Sequence, residues 1–410
     1  MLKASPKRVI LSATCLVCAA SYAWCAIKAY RAERLANRSD HASIERAIAL
    51  VPQNATYHDL LCRSMIFSSQ GSQAVEECQK AASLNPYSST IWLDLAQAHY
   101  LTGNTELTKT AIRQALMVDP TTPDTAWSAA NFFLIQGDTA DALKEFAIVL
   151  RQEPSLVAPA LNVCWQSLHD VRVIESILPP NPGVYLALIR LLSLRGELEP
   201  AGQVWAAFLQ LNKVSDFRDC LFYIDSLLRA GMAAEASDAW KQLSSKSADL
   251  RAYSQPDNLI MDGSFTQEIL NSGFGWRYTP EPQISALLDT ADFHSGNRSL
   301  RLTYSGHGSD AGIFQYVATR AGMKYRLSAW VKSENLETAN GPALVILDRF
   351  GNEVYGATKE TTGTTEWHRV ETEIETGVEP KLLKVAILRS PGETRIQGKF
   401  WVDDVVLAPL

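Results

Sequence analysis

Two different patterns of apolar residues divide the chain. Between residues 37 and 250, apolar side chains recur at helical spacing, every three or four positions. Between residues 258 and 410 they alternate with polar ones, as in Tyr325–Lys332 and His368–Ile374. The pattern predicts a multidomain chain in which an all-α part, residues 37–250, is joined by a short linker, residues 251–257, to an all-β sandwich, residues 258–410.

The helical part repeats itself. Pro52, Pro86, Pro120 and Pro154 stand 34 residues apart, and the residues between them recur in phase. One column of the repeat holds Leu61, Leu95 and Ala129, and the next holds Cys62, Ala96 and Ala130. A fixed period of this length is typical of stacked helix–turn–helix units, in which small residues let paired helices approach closely. We expect a solenoid of about six helix pairs, interrupted at Leu178–Pro182 because proline cannot continue a helix.

These repeats resemble the tetratricopeptide repeat, and the residues Trp92, Leu95, Ala96, Ala115 and Pro120 match its pattern best. The resemblance implies that the first helix of each unit lines a concave groove that holds a protein partner. The residues that it places in this groove are Asp59, Arg63, Leu93, Gln97, Tyr100, Trp127, Asn131 and Leu134. A solvated groove with no dedicated ligand is the alternative.

The N-terminus carries a membrane signal. Residues 1–8 form a short basic tail, and residues 9–27 contain no charged side chain. As a helix the uncharged stretch would span roughly 28 Å, close to the hydrocarbon thickness of a bilayer. We therefore expect a transmembrane signal anchor at residues 9–27, with a cleaved signal peptide as the alternative. Basic residues flank both sides and do not decide the orientation; we expect the bulk of the chain on the extracytoplasmic side.

Charge and cysteine content give no indication of nucleic-acid binding or of a zinc site. A net charge of −6 and a pI near 5.7 give no electrostatic reason to expect nucleic acid. None of the seven cysteines shows the spacing of a zinc site. Cys62 and Cys78 occupy facing columns of one repeat, which permits a disulfide, but two buried free cysteines are the interpretation that we favour.

The β part resembles the galactose-binding-like jelly rolls that include several carbohydrate-binding modules. The resemblance rests on Asn258–Phe265, Ala291–Leu302, Gln315–Val331, Trp367–Val370 and Trp401–Leu407, which follow one another in the family's order. It implies a jelly-roll sandwich, and it places Trp330, Trp367 and Trp401 in the core.

Sugar binding would require exposed aromatic rings on this sandwich. The candidates are Trp276, Tyr278, Phe314, Tyr316, Phe350 and Tyr355. Trp276 with Tyr278, and Phe314 with Tyr316, have the period-2 spacing that puts two rings on one face of a strand. For each ring, packing in the core is the alternative.

The resemblance also implies a structural calcium ion, with Asp403 of the closing strand as a ligand. Thr266 stands where the family carries an acidic residue, and the alternative is that Asp403 bonds to backbone amides. No other cofactor is implied.

We expect no catalytic activity, because the chain has no nucleophile elbow, phosphate-binding loop or zinc-protease motif. His307 with Asp310 is the weak exception, and it leaves a metal-dependent or glycan-active enzyme as a remote alternative. We expect instead a membrane-anchored scaffold whose repeats bind a protein and whose jelly roll contacts a polysaccharide, as in accessory proteins of bacterial surface polysaccharide assembly or export. The alternative is a protein–protein adaptor with a purely structural sandwich.

Overall fold

A computed structural model describes residues 6–213, 216–308, 310–389 and 395–410. Within these residues, all helices precede all strands, which confirms the predicted fold class. The helices are α1 Pro6–Ala36, α2 His41–Leu50, α3 Ala55–Phe67, α4 Gly71–Leu84, α5 Ser89–Leu101, α6 Thr105–Val118, α7 Pro123–Ile135, α8 Thr139–Gln152, α9 Val157–Leu168, α10 Val171–Glu175, α11 Pro182–Leu194, α12 Leu198–Gln210, α13 Leu221–Ala230, α14 Ala233–Lys246 and α15 Ala248–Arg251. The strands are β1 Arg277–Tyr278, β2 Ile284–Asp289, β3 Ser299–Gly306, β4 Asp310–Ala318, β5 Lys324–Glu337, β6 Ala343–Asp348, β7 Val354–Ala357, β8 Gly363–Glu375, β9 Leu382–Leu388 and β10 Ile396–Pro409.

The chain forms two compact units, Met1–Pro179 and Pro180–Leu410. The division falls in the proline-rich loop that interrupts the repeat. The helix just before this loop, α10, has only five residues. The second unit therefore contains the last helices, α11 to α15, together with all the strands.

The first helix of the first unit is longer than the predicted anchor. Its segment Leu11–Ala36 is long and apolar enough to cross a membrane, a test that a signal sequence near the N-terminus also passes. The C-terminal end of α1 packs directly on the repeats, because Ala32 and Ala36 are buried against Ala47 of α2 and Tyr57 of α3. The first five residues of the predicted basic tail, 1–5, lie outside the described residues.

Small side chains bring the paired helices together. Cys62, Ala96 and Ala130, which share one column of the repeat, are all 0% exposed. A larger residue in this column would overpack the pair, since protein interiors are filled to the density of organic crystals. The repeating architecture that the spacing predicts is thus confirmed.

One cysteine prediction is wrong. The structure joins Cys62 of α3 to Cys78 of α4 by a disulfide, with the two Cα atoms 5.4 Å apart. Facing columns of small residues place the two Cα atoms within the range that a disulfide spans. Of the described cysteines, Cys164 and Cys220 are buried free thiols.

In the described residues, two antiparallel sheets of five strands make the sandwich. Sheet A has the order β1-β4-β9-β6-β7, and sheet B has the order β2-β3-β10-β5-β8. Alternate residues of each strand point between the sheets and form the core, among them Ile313 and Val317 of β4 and Phe400 and Val402 of β10. The residues between them point to the outer faces of the two sheets.

A carboxylate of the last helix pair holds a loop of the sandwich. Asp225 of α13 accepts hydrogen bonds from Ser272 Oγ (2.6 Å), the backbone N–H of Gly273 (2.7 Å) and Arg277 Nη2 (2.5 Å). Gly273 has a φ of +58°, and a Cβ atom there would lie 2.5 Å from Trp240 Cζ3 of α14. Only glycine meets both conditions. The loop before β1 is therefore seated directly on α13 and α14.

Candidate functional site

The outer face of sheet A carries the one predicted aromatic pair that stays together. Ile313, Gln315 and Val317 of β4 are buried, so the side chains between them point outward. These are Phe314 and Tyr316, which are half-buried and lie edge to face with their centroids 5.4 Å apart. We call them the aromatic pair.

A cation lies over each ring of the aromatic pair. The guanidinium carbon of Arg277 is 5.4 Å from the centroid of Tyr316, and Lys384 Nζ is 4.3 Å from the centroid of Phe314. Arg277 is fixed by its ion pair with Asp225. Within the described residues, Lys384 makes no ion pair with a carboxylate. The face therefore combines apolar ring surface with a positive charge that a ligand can use.

The neighbouring strands give this face an apolar floor. Ala343, Val345 and Leu347 of β6 and Ala386 of β9 form a separate buried cluster, with Phe314 packed against it. Their exposed fractions are all 8% or less, so they support the pair and offer little surface themselves. A ligand on this face would therefore contact mainly the aromatic pair and the two cations.

Three other predicted sugar-binding rings belong to the core or its edge. Trp276 is 3% exposed, stacks on Phe265 at 5.2 Å and donates from Nε1 to the carbonyl of Asp262. Tyr278 and Tyr355 are half-buried and pack against the same core. The prediction that Trp276 and Tyr278 form a platform is wrong, because strand β1 begins only at Arg277 and the period-2 rule does not reach Trp276.

Phe350 lies in the turn after β6. It is 70% exposed, and the guanidinium of Arg349 lies over its ring, 4.4 Å from the centroid. Within the described part of the chain, Phe350 makes no ring-to-ring contact with another predicted ring.

Asp403 does not fit a calcium ligand. Its side chain is fully buried, and backbone N–H groups of His294, Ser295 and Asp404 donate to its two oxygens at 2.8 to 3.0 Å. Calcium requires a cage of oxygen atoms, whereas these neighbours are donors. Among the residues that the structure describes, no three His, Cys, Asp or Glu side chains are grouped to hold a metal ion. The prediction of Asp403 as a metal ligand is corrected to its alternative, a carboxylate bonded to backbone.

The pKa values of the two adjacent aspartates, Asp403 and Asp404, are shifted in opposite directions. Burial raises the pKa of Asp403 to about 6. Burial also acts to raise the pKa of Asp404, but hydrogen bonds from His294, Ser295 and Ser264 outweigh it and lower that pKa below its usual range. Together the two carboxylates fix the turn that carries His294, which explains the aspartate pair in the closing strand.

Sequence reasoning missed an aromatic cluster on the outer face of sheet B. His294 stacks on Trp330 at 3.8 Å, contacts Trp367 and bonds to Asp404 through Nδ1. Trp401 is 2% exposed and donates from Nε1 to Asp289, so its predicted place in the core is confirmed. The placement of Trp330 and Trp367 in the core is wrong, because both side chains are only half-buried. The signal was present for Trp330, which lies between two core residues of its strand, Ala329 and Val331.

Among the described residues, His307 and Asp310 belong to no group of three His, Cys, Asp or Glu side chains that could hold a metal ion. Asp310 accepts a hydrogen bond from the backbone N–H of Gly312, and the backbone N–H of His307 donates to Gln283 Oε1. Ser309, between them, lies outside the described residues.

In the first unit, the predicted groove begins with an ion-pair network. Arg63 of α3 contacts Asp59 at 2.9 Å and Asp94 of the next repeat at 2.7 Å. Asp59 is only 5% exposed, so its prediction as a groove contact is wrong; its carboxylate holds Arg63 in place instead. Burial and the neighbouring charge of Asp94 raise the pKa of Asp59 to about 7, although Arg63 opposes this.

The other residues that we predict to line the groove are exposed to solvent to different degrees. Tyr100 is 42% exposed and lies edge to face with Phe132, and Trp127 lies edge to face with Phe146. Asn131 donates to the carbonyl of Trp127. The half-buried side chains of this set are Leu93, Gln97, Trp127, Asn131 and Leu134.

Comparison with known families agrees with the fold of the β part. Residues 257–390, about a third of the chain, match the model of a family described as a carbohydrate binding domain. No curated protein matches the chain.

Several solved structures are similar to parts of the chain. One, described as a CBM4 structure, has a TM-score of 0.29 at 16% identity, covering 37% of this chain and 99% of its own. The pilF protein of Pseudomonas aeruginosa has a TM-score of 0.28 at 17% identity, covering 48% of this chain and 95% of its own. A Clostridium thermocellum xylanase fragment with CBM22-1 and GH10 modules, complexed with xylohexaose, has a TM-score of 0.27 at 17% identity, covering 37% of this chain and 29% of its own.

The raised pKa of Asp59 predicts a dependence of stability on pH. Between the ordinary carboxyl pKa, about 4, and pH 7, folded Asp59 keeps a proton that the unfolded chain releases. The free energy of unfolding therefore falls as pH rises through this window. Asp59→Asn removes this titration. The change in melting temperature between pH 5 and pH 8 should therefore be a few degrees smaller in this variant than in the natural chain.

The matched control is Asp124→Asn, an exposed aspartate on the first turn of α7. It should keep the pH dependence of the natural chain. Thermal unfolding followed by far-UV circular dichroism gives both curves, and equal slopes for Asp59→Asn and the natural chain would refute the assignment.

Proposed function

We propose that this chain is a non-catalytic, membrane-anchored scaffold. Its sandwich binds a polysaccharide on the outer face of sheet A, and its repeats bind a protein partner in their groove. The observation that carries the sugar-binding role is the aromatic pair, held on a face next to two cations in a domain that matches a carbohydrate-binding family. Assembly or export of a bacterial surface polysaccharide is the process that this combination suits.

The chemistry of the face favours an acidic sugar. Sugars present C–H faces that dock on aromatic rings, and the aromatic pair supplies such a surface. The ammonium of Lys384 lies beside Phe314 and has no carboxylate partner within the described residues. A carboxylate on the polysaccharide would pair with it, and Asp225 would hold Arg277 in place next to Tyr316.

The groove of the first unit supports the second role. Tyr100 and Trp127 provide aromatic contact surface, and Arg63 adds a cation whose position is set by Asp59 and Asp94. Aromatic and arginine side chains are the residues that most often anchor a protein interface. A protein partner with an extended segment or a helix fits this surface.

The disulfide supports the expected side of the membrane. Cys62 and Cys78 are joined within the first full repeat. Disulfides persist in oxidising compartments and are rare in the cytosol. An extracytoplasmic position of the repeats, with α1 as the anchor, accounts for both features.

The adaptor with a structural sandwich remains the second candidate. Much of the outer face of sheet A is buried: Leu347 is 4% exposed and Ala386 is fully buried. A sandwich that serves only as a rigid end to the helical repeats would need no more than this.

We predict that the aromatic pair carries the sugar affinity. A chain starting at Lys28, which keeps the packed end of α1, should be retarded in native gels that contain polygalacturonate, and less so in gels with hydroxyethylcellulose. Phe314→Ala and Tyr316→Ala should each weaken the retardation about fivefold, since one anchoring ring contributes on the order of 1 kcal/mol. Lys384→Gln should weaken it on the acidic gel only.

The matched control is Tyr87→Ala, which removes an 85% exposed tyrosine of the repeats. It should migrate like the natural sequence, and its melting temperature and those of Tyr316→Ala and Lys384→Gln should stay nearly unchanged. Phe314→Ala should lower the melting temperature, because its ring packs on the buried apolar cluster, but the chain should still be folded at the temperature of the gel. If none of a broad set of acidic and neutral gels retards the chain, the sandwich is structural and the adaptor function stands.

We also predict that α1 anchors the chain. The full-length protein should stay with membranes after alkaline extraction, because the burial of an apolar helix does not depend on charge pairs. Leu16→Arg, which puts a charge in the middle of the uncharged stretch, should increase the extracted fraction. A mature chain that starts near Ile27 in the soluble fraction would show a cleaved signal peptide instead.

A further inference from the structure

A cavity in the second unit has no role in the proposed function. It has a volume of about 440 Å³ and lies along α14. Ser237, Trp240, Lys241, Ser244 and Ser245 line it, and their spacing of three, four, seven and eight residues puts them on one face of the helix. The volume falls in the range of small-molecule sites.

Most of the opposite wall is apolar. Phe274 lies edge to face with Trp240 at 5.9 Å, and Leu259, Met261 and Ala318 complete this wall. An apolar body of a ligand would replace water here at a gain in free energy.

Two polar groups of the cavity-lining residues have no hydrogen-bond partner within the described residues. They are the indole Nε1 of Trp240, whose side chain is 3% exposed, and the hydroxyl of Ser244. A buried donor without an acceptor costs free energy. Native folds seldom leave such groups unpaired, and a ligand with acceptor atoms would pair with them.

The charged residues that line the cavity are both cations. Arg251 is held there because its guanidinium donates to the carbonyls of Ser244 and Ser245. Lys241 lies one turn before Ser244 and Ser245 on α14, and its ammonium is 3.5 Å from the carboxylate of Asp238, which is 68% exposed. Among the described residues, no Asp or Glu lines the cavity.

We propose that this cavity binds a small amphiphile with an apolar body and one anionic head group. The aromatic and aliphatic wall takes the body, and the two cations take the head group. Acceptor atoms of the ligand satisfy the indole N–H and the hydroxyl.

Fluorine NMR of a labelled probe tests this on the full chain in lipid nanodiscs, with empty nanodiscs as the blank. The probe is 5-(4-fluorophenyl)pentanoate, and its neutral amide is the matched compound. We expect the acid to bind about tenfold more tightly than the amide, because a charged hydrogen bond is lost in the amide. Lys241→Glu should weaken the acid about tenfold and leave the amide unchanged.

The matched control is Lys246→Glu, an exposed lysine of α14 that does not line the cavity. It should leave the binding of both compounds unchanged. Trp240→Phe keeps an aromatic ring but loses the N–H, so it should weaken both compounds severalfold. Equal binding of acid and amide, an equal effect of the two lysine variants, or no binding beyond the blank would overturn the proposal.

Discussion

The arrangement of the second unit depends on the carboxylate of Asp225. It accepts three hydrogen bonds, from Ser272, Gly273 and Arg277, and so ties the loop before β1 to α13. Breaking this charge pair would leave Arg277 with only the backbone carbonyls of Asn271 and Gly273 as partners, while Arg277 Nε already lacks an acceptor within the described residues. Through Arg277 the same carboxylate sets the cation beside Tyr316, which couples the helices to the sugar-binding face that we propose.

A second constraint, close packing of small residues, organises the first unit. Ala96 and Ala130 are fully buried between paired helices, and the disulfide between Cys62 and Cys78 occupies the corresponding place in the first full repeat. The end of α1 joins this packing through Ala32 and Ala36. If α1 is the membrane anchor that we propose, its contact with the repeats would hold them close to the bilayer.

Local periodicity explains why so much of the fold was predictable. The 34-residue spacing reports the pairing of neighbouring helices, and alternation reports the two faces of each strand, as Phe314 and Tyr316 show. Both signals arise from residues a few positions apart. Trp276 was assigned wrongly because it lies just before its strand, where alternation no longer sets direction.

Long-range contacts explain what was not predictable. The residues bonded to Asp225 lie 47 to 52 positions away, and those whose amides bond to Asp403 include His294, 109 positions away. Nothing in the local pattern distinguishes a carboxylate that meets backbone N–H groups from one that meets a cation. The cavity beside α14 likewise depends on segments from α14 to Ala318 that only the folded chain brings together.

Thermal unfolding of a fragment, residues 180–410, tests the central claim that the last helices and the sandwich form one unit organised by Asp225. Calorimetry counts the transitions, and far-UV circular dichroism follows the loss of helix and of β structure. We predict a single transition in which both are lost together, and a lower temperature for that whole transition in Asp225→Ala. Two separate transitions, with the sandwich melting unchanged in Asp225→Ala, would contradict the account.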